Sequence, residues 1–258
     1  MDLASLRGFI FDLDGCVYYG NTLLPGVAAV LGKLRESGRR VSFLTNNSRE
    51  TGDVLLRKLR RLGLAAEPKE IVSAAEAAGP FVRQRYGPSR VLAVGSERLL
   101  SLLAAAGHTV LPLEDYRRAQ VVVIGHDETV DYRKLTALAR AVHRGAAFVA
   151  VNVDPQLVVE EGEIFPGCGA IVEAVAATAG IRPAVVGKPE PHVFQVALER
   201  LDLAPQAVVM VGDSIHADIC GAQRVGLRTI WIAPAGADPG RVRPDLTIRA
   251  YAELLPAL

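Results

Sequence analysis

The chain has 258 residues, half of them hydrophobic, which is enough for a sizeable core in one large domain or two smaller ones. A formal net charge of +1 removes any global electrostatic case for nucleic acid or an anionic membrane as partner. Three widely spaced cysteines, Cys16, Cys168 and Cys220, suit neither a disulfide framework nor a zinc site. They point to a reducing compartment and a cytoplasmic location. No signal peptide is expected, because Asp12 and Asp14 interrupt the only early apolar stretch. No apolar run is long enough to span a bilayer.

Along the chain, strand-like and helix-like patterns alternate. Phe9-Ile10-Phe11 reads as a buried parallel strand that ends in Asp12-Leu13-Asp14-Gly15. Pro25-Gly26 opens a helix that stops near Gly38, and Val41 to Leu44 is a second strand. Glu50 to Leu62 carries Leu55, Leu56, Leu59 and Leu62 at helical spacing, with Gly63 as the stop. Val91 to Val94, Gln120 to Ile124 and Ala147 to Val151 read as short buried strands with helices between them. Val208 to Val211 and Thr229 to Ile232 are two more. This alternation predicts an α/β fold of parallel sheets covered by helices. The middle of the chain lacks the strongest chemical motifs and reads as an inserted α/β domain. The expected division is residues 1–74 and 181–258 for a Rossmann-like core and 75–180 for the insertion.

Four motifs follow strands and carry chemistry. Side chains at i and i+2 share one side of a strand, so Asp12 and Asp14 emerge together at a carboxyl edge. Ligands bind at that edge in open α/β sheets. Two such carboxylates repel unless a cation lies between them or one takes a proton. Thr45-Asn46-Asn47-Ser48 gathers a hydroxyl, amides and free N–H groups before a helix, which is a natural anion site. Lys188, between Gly187 and Pro189, can neutralise a phosphoryl group or hold a carboxylate. Gly212-Asp213-Ser214-Ile215-His216-Ala217-Asp218 brings Asp213 to another strand end, with Asp218 one helical turn on. Such hard oxygen ligands suit Mg²⁺. His216 reads as a solvent-facing loop residue. Each motif also has an ordinary reading: a polar turn, a helix N-cap or a surface loop.

Taken together, Asp12-Leu13-Asp14-Gly15, Thr45-Asn46-Asn47, Lys188-Pro189 and Gly212-Asp213 with Asp218 resemble the haloacid dehalogenase (HAD) superfamily of phosphohydrolases. The insertion between the Thr and Lys motifs resembles subclass IIA, with its large α/β cap. That subclass includes p-nitrophenyl, phosphoglycolate and pyridoxal phosphatases. Tyr132-Arg133-Lys134-Leu135, Asn152-Val153-Asp154 and Pro166-Gly167-Cys168-Gly169-Ala170-Ile171 extend the resemblance into the insertion. The subclass often has Asn-Pro-Asp where this chain has Asn152-Val153-Asp154.

The resemblance implies a Mg²⁺-dependent phosphatase acting on small phosphate monoesters through an aspartyl-phosphate. Asp12 would be the nucleophile and Asp14 the general acid and base. Mg²⁺ would be held by Asp12, the backbone carbonyl of Asp14, Asp213 and Asp218. Thr45, Asn46, Asn47 and Lys188 would hold the phosphoryl group, and Asp154 would read the leaving group. The implied partner is a small phosphorylated metabolite, with neither nucleic acid nor membrane, and a homodimer is compatible with the subclass. Two rival readings are a phosphomutase or other phosphotransferase on the same scaffold, and a non-catalytic binding protein that keeps the fold.

Overall fold

The apolar runs form two parallel sheets, each inside its own unit of the chain. The structure, a computed structural model, describes residues 1–158 and 163–258. The first unit comprises Met1–Thr45, Gly52–Val72 and Lys188–Leu258, and the second Asn46–Thr51 and Ser73–Gly187. No helix among the described residues is long and apolar enough to cross a membrane.

The sheet of the first unit has six strands. Their order is Leu246–Ile248, Arg228–Ile232, Val208–Gly212, Gly8–Phe11, Arg40–Thr45 and Ile71–Ser73. Gly8–Phe11 lies inside the sheet and pairs in parallel with Val208–Gly212 on one side and Arg40–Thr45 on the other. All four of its residues are buried, as its unbroken apolar run predicts. Phe9 stacks 6.3 Å from Phe11, and Phe11 lies 6.4 Å from Phe43 and 6.3 Å from Tyr251. Such aromatic pairs add about 0.5–1.5 kcal/mol beyond their area burial.

Helices close the faces of this sheet with single apolar stripes. Val27–Glu36 buries Val27, Val30, Leu31 and Leu34. Gly52–Arg61 buries Leu55, Leu56 and Leu59 and leaves Arg57, Arg60 and Arg61 exposed, while Lys58 lies over the buried Tyr18 ring. The edge strands Ile71–Ser73 and Leu246–Ile248 have three residues each, too few for a periodic signal.

The sheet of the second unit has five strands in the order Ala184–Val185, Ala147–Ala150, Val121–Ile124, Arg90–Val94 and Thr109–Leu111. Every pairing in it is parallel. Helices start on side-chain caps that satisfy otherwise orphaned N–H groups. Ser73 accepts from Glu76 N–H at 3.2 Å, and Asp131 accepts from Lys134 N–H at 2.7 Å. A short antiparallel pair, Gln156–Val158 with Ile164–Pro166, lies outside the main sheet.

Candidate active site

Strand register decides what meets at the carboxyl edge of the first sheet. Phe11 lies opposite Val211 on one side and Phe43 on the other. The next residues outward are Asp12, the Gly212-Asp213 step, and Leu44-Thr45. Asp12 N–H donates to the Val211 carbonyl at 2.9 Å, which extends the ladder by one residue and fixes the Asp12 backbone. Neighbouring strands connect in opposite directions here, the crevice where open α/β sheets bind ligands.

Two glycines let backbone and carboxylates crowd together. Gly15 adopts φ +83°, and a Cβ there would stand 2.5 Å from Asp213 Oδ2. A Cβ on Gly212 would collide with the Asp218 carboxylate. Asp218 sits in the π-helical turn Ile215–Cys220, and its Oδ2 accepts the Ser214 N–H at 3.0 Å. The carbonyl of Asp213 accepts Trp231 Nε1–H at 2.8 Å, which orients that strand end.

Lys188 holds the edge together. Its Nζ donates to Asp12 Oδ1 at 2.5 Å, to Asp218 Oδ1 at 2.7 Å and to the Leu44 carbonyl at 3.3 Å. Lys188 is 3% exposed and Asp218 fully buried. Carboxylate oxygens of Asp12, Asp213 and Asp218 all lie within 4.8 Å of one another. Three carboxylates and one ammonium leave two excess negative charges, the complement of one divalent cation. The donor set is all oxygen, which suits a hard ion.

Proton affinities reflect that crowding. Burial, together with the neighbouring Asp218 and Asp213, pushes the Asp12 carboxyl well above its ordinary range despite Lys188. Burial, then Asp218, pushes Asp213 up to about 6. Burial alone would lower the Lys188 ammonium, but Asp12 and Asp218 outweigh it and hold the lysine charged. A cation among these oxygens would relieve the repulsion.

The sequence-derived residues divide between the units. Asp12, Asp213, Asp218 and Lys188 converge. Asp14 is exposed and its carboxylate lies outside the cluster, so the two N-terminal acids occupy opposite environments. Thr45 is buried at its strand end. His216 is exposed, as expected, but it lies in the π-helical turn Ile215–Cys220 and not in a loop.

Asn46, Asn47 and Asp154 belong to the second unit. There Asn46 Nδ2 donates to both oxygens of Asp154 at 3.2 Å. Asn152 Nδ2 donates to the Asn46 carbonyl at 2.6 Å. Asn47 Oδ1 accepts the N–H groups of Arg49 and Glu50 at 2.9 and 2.8 Å. Those two donors are therefore used inside the turn, and the helix begins only at Gly52. Gly15, Gly212 and Ser214 are supporting residues that the sequence reading quoted within its motifs but gave no role in the site. Their signal was present in the Gly and Ser flanking each Asp, but such residues are also common in any turn.

An edge of this kind is suited to a divalent cation and to an anion paired with it. A hydrolase of phosphate esters is the class of protein that this fold and edge define. Comparison with known proteins agrees. Residues 9–109 match the haloacid dehalogenase-like hydrolase model, and residues 185–254 match a second, HAD-hydrolase-like model. The acid sugar phosphatase of Staphylococcus haemolyticus is 34% identical over 230 residues, covering 89% of this chain and 86% of that one.

Among solved structures, the p-nitrophenyl phosphatase from Archaeoglobus fulgidus superposes with a TM-score of 0.89 at 28% identity, covering 98% of this chain and 99% of that one. The glycerol phosphate phosphatase Rv1692 from Mycobacterium tuberculosis, in complex with calcium, gives 0.84 at 32% identity, covering 96% of this chain and 74% of that one. The chain belongs to the haloacid dehalogenase-like hydrolase family, in its subclass IIA, and is a phosphoric monoester hydrolase.

Proposed function

We propose that the chain hydrolyses small phosphate monoesters through an aspartyl-phosphate on Asp12, with Mg²⁺ as cofactor. The observation that carries this reading is the Lys188 ammonium, buried between the Asp12 and Asp218 carboxylates beside Asp213. Asp12, Asp213 and Asp218, with the backbone carbonyl of Asp14, would hold the ion. When bound, it supplies positive charge against the phosphoryl oxygens.

The remaining chemistry belongs to the chain's own residues. An Asp12 carboxylate oxygen attacks phosphorus as the ester P–O bond breaks. Asp14, as general acid, gives a proton to the leaving oxygen. The same carboxylate then takes a proton from water, whose oxygen attacks phosphorus and releases phosphate, regenerating Asp12. Thr45, Asn46 and Asn47 bind phosphoryl oxygens, and Lys188 offsets their charge while fixing Asp12. Burial of Lys188 makes its charge count for more than it would in water.

The reading extends to the inserted unit, assigned to residues 75–180, as the part that selects substrates through Asp154. The names of the relatives cited above mention sugar, p-nitrophenyl and glycerol phosphates, so the proposed substrates are small phosphorylated metabolites. A net charge of +1 and three free cysteines support a cytoplasmic enzyme with no nucleic-acid role, and a homodimer fits the same reading.

Phosphate release from p-nitrophenyl phosphate, with and without excess EDTA and without any acceptor sugar, tests the proposal. Mg²⁺-restored release is expected. Full activity in EDTA would exclude the metal assignment, and a requirement for a sugar acceptor would favour a phosphotransferase.

A further inference from the structure

A second concave site lies entirely within the inserted unit, away from the carboxylate and lysine cluster; of the motifs named above it touches only Tyr132-Arg133-Lys134-Leu135. It is a groove of about 750 Å³, within the range of small-ligand sites. Helices Tyr132–His143 and Cys168–Ala179 and the 3₁₀ segment Leu113–Arg118 form its walls. Ala139 and Ala174, one on each helix, leave the space between the helices open.

The lining is cationic and aromatic. It contains Arg117, Arg140, Arg144 and His143, two tyrosines, Tyr116 and Tyr132, and no carboxylate. Nearby acids are already engaged: Asp115 pairs with Arg118 at 2.9 Å, and Glu114 pairs with Arg133. Among the described residues, Arg117, Arg140 and Arg144 have no carboxylate partner. The Arg117 guanidinium instead lies 5.7 Å from the Tyr116 ring centre, and its Nε donates to the Tyr116 hydroxyl at 3.3 Å. Arg117 and then Arg140 hold the Tyr116 phenol below its ordinary range, as their contacts with it require.

Cations in a helix's last turn complement its dipole, which accounts for Arg140 and His143 as ordinary features. It does not account for Arg117, which comes from a different segment and faces the same groove. Nor does it account for Tyr132, which stands 86% exposed at the opposite end of the helix.

We infer that this groove binds a small polyanion carrying a planar ring, of the nucleoside di- or triphosphate type. Guanidiniums match phosphate oxygens in fixed, bidentate geometry, and tyrosine faces accept a flat heterocycle. A groove of this size that gathers three guanidiniums and two tyrosines favours such a molecule over an extended acidic chain.

The test uses the full chain in EDTA. The probes are adenosine 5′-(α,β-methylene)diphosphate, which resists hydrolysis, and inorganic tripolyphosphate, which lacks the ring. Calorimetry should show both binding to the wild type, weakening with salt. The double variant R140E/R144E should lose about 100-fold in affinity for both probes, while its turnover of p-nitrophenyl phosphate with Mg²⁺ stays within about twofold of wild type. Tyr132→Ala should weaken the methylene diphosphate by about three- to tenfold and leave tripolyphosphate unchanged.

Equal binding of both probes by wild type and double variant, or no binding by wild type, would overturn the site. Tyr132→Ala leaving both affinities unchanged would overturn the ring-bearing ligand. A drop in sedimenting mass on charge reversal would assign the groove to a contact between copies instead.

Discussion

The two parallel sheets of this chain are built alike and end differently. Each has short, buried, aliphatic strands flanked by helices, and each offers a row of strand ends. In the first unit those ends present Asp12, Thr45 and Asp213, with Lys188 and Asp218 brought in beside them. In the second they present Gly95-Ser96, Gly125-His126 and Val151-Asn152. One edge gathers three carboxylates, two of them buried, around a single ammonium. The other sets neutral amides around one half-buried carboxylate, Asp154. Architecture alone therefore does not locate chemistry; the residues after the last paired position do. Burying unpaired charge is expensive, so the first edge keeps its cluster for a function.

The sharpest test of that contrast is within the first edge. Asp12→Asn should lower kcat on p-nitrophenyl phosphate by about 10⁴–10⁶-fold, the scale seen when a covalent nucleophile is removed. Asp14→Asn should cost about 10²–10⁴-fold, the worth of general acid–base catalysis. Steady-state rates check both. A larger loss for Asp14 than for Asp12 would reverse the roles that buried and exposed positions give them.

A second test compares one ion pair from each unit. Lys188→Ala should cost about 10²–10³-fold in kcat, as when a fixed charge-stabilising donor is removed. It should also cost about 3–5 kcal/mol of stability, because it strands two buried carboxylates. Lys134 pairs with Asp127 at 2.7 Å in the second unit, with its side chain 25% exposed. Lys134→Ala should cost about 1 kcal/mol or less and leave kcat unchanged. Chemical denaturation and turnover, measured side by side, decide the matter. Equal destabilisation by the two variants would mean that the burial contrast carries no energy.

Mg²⁺ supplies a third, smaller effect. A ligand at about 100 times its Kd stabilises the native state by about 2.7 kcal/mol. Thermal melting of the wild type should therefore rise by several degrees with Mg²⁺. Asp213→Asn should abolish that rise, and Asp154→Ala should keep it. An Asp213→Asn protein that gains as much as wild type would remove Asp213 from the metal site.

How far the first edge was legible in the sequence follows from chain geometry. Asp12 and Asp213 each follow an unbroken apolar strand, so a short continuous apolar run and the acid beyond it suffice to place them. Lys188 was readable as a cation able to hold a carboxylate or a phosphoryl group, but not which carboxylates it bridges. Its two partners lie 176 and 30 residues away in sequence, and no local pattern reports that. The reach of Asp218 back to the edge depends on the missing side chain at Gly212 and on a π-helical turn. A count of helical residues approximates that turn without describing it. Strands such as Ile71–Ser73 and Thr109–Leu111 went unread because three residues cannot show periodicity. The groove at Tyr116 and Arg140 was invisible, since its walls come from three separated segments.

The smallest expected effect concerns Asp154 and would show whether the second edge takes part in choosing substrates. Its carboxylate is held by Asn46, the residue that follows Thr45 in the chain. The loop is tightly set. Gly169 N–H donates to the Asp154 carbonyl at 2.8 Å, and a Cβ on Gly167 or Gly169 would collide with that loop's backbone. A carboxylate so fixed can read a hydroxyl on the leaving group, and loops of this kind are where ligand contacts concentrate. Removing one such hydrogen bond is worth about 0.5–1.5 kcal/mol, or about two- to tenfold in kcat/KM. Asp154→Ala should therefore lower kcat/KM for sugar and glycerol phosphates by that amount while sparing p-nitrophenyl phosphate, whose leaving group has no hydroxyl to read. Asn46→Ala should reproduce the same selectivity on top of its own loss of phosphoryl binding, and the double variant should be less than additive because the two side chains act as a pair. A panel of esters assayed at fixed Mg²⁺ distinguishes the outcomes. If every ester, p-nitrophenyl phosphate included, fell by the same factor, Asp154 would only brace Asn46, and the second edge would have no part in selection.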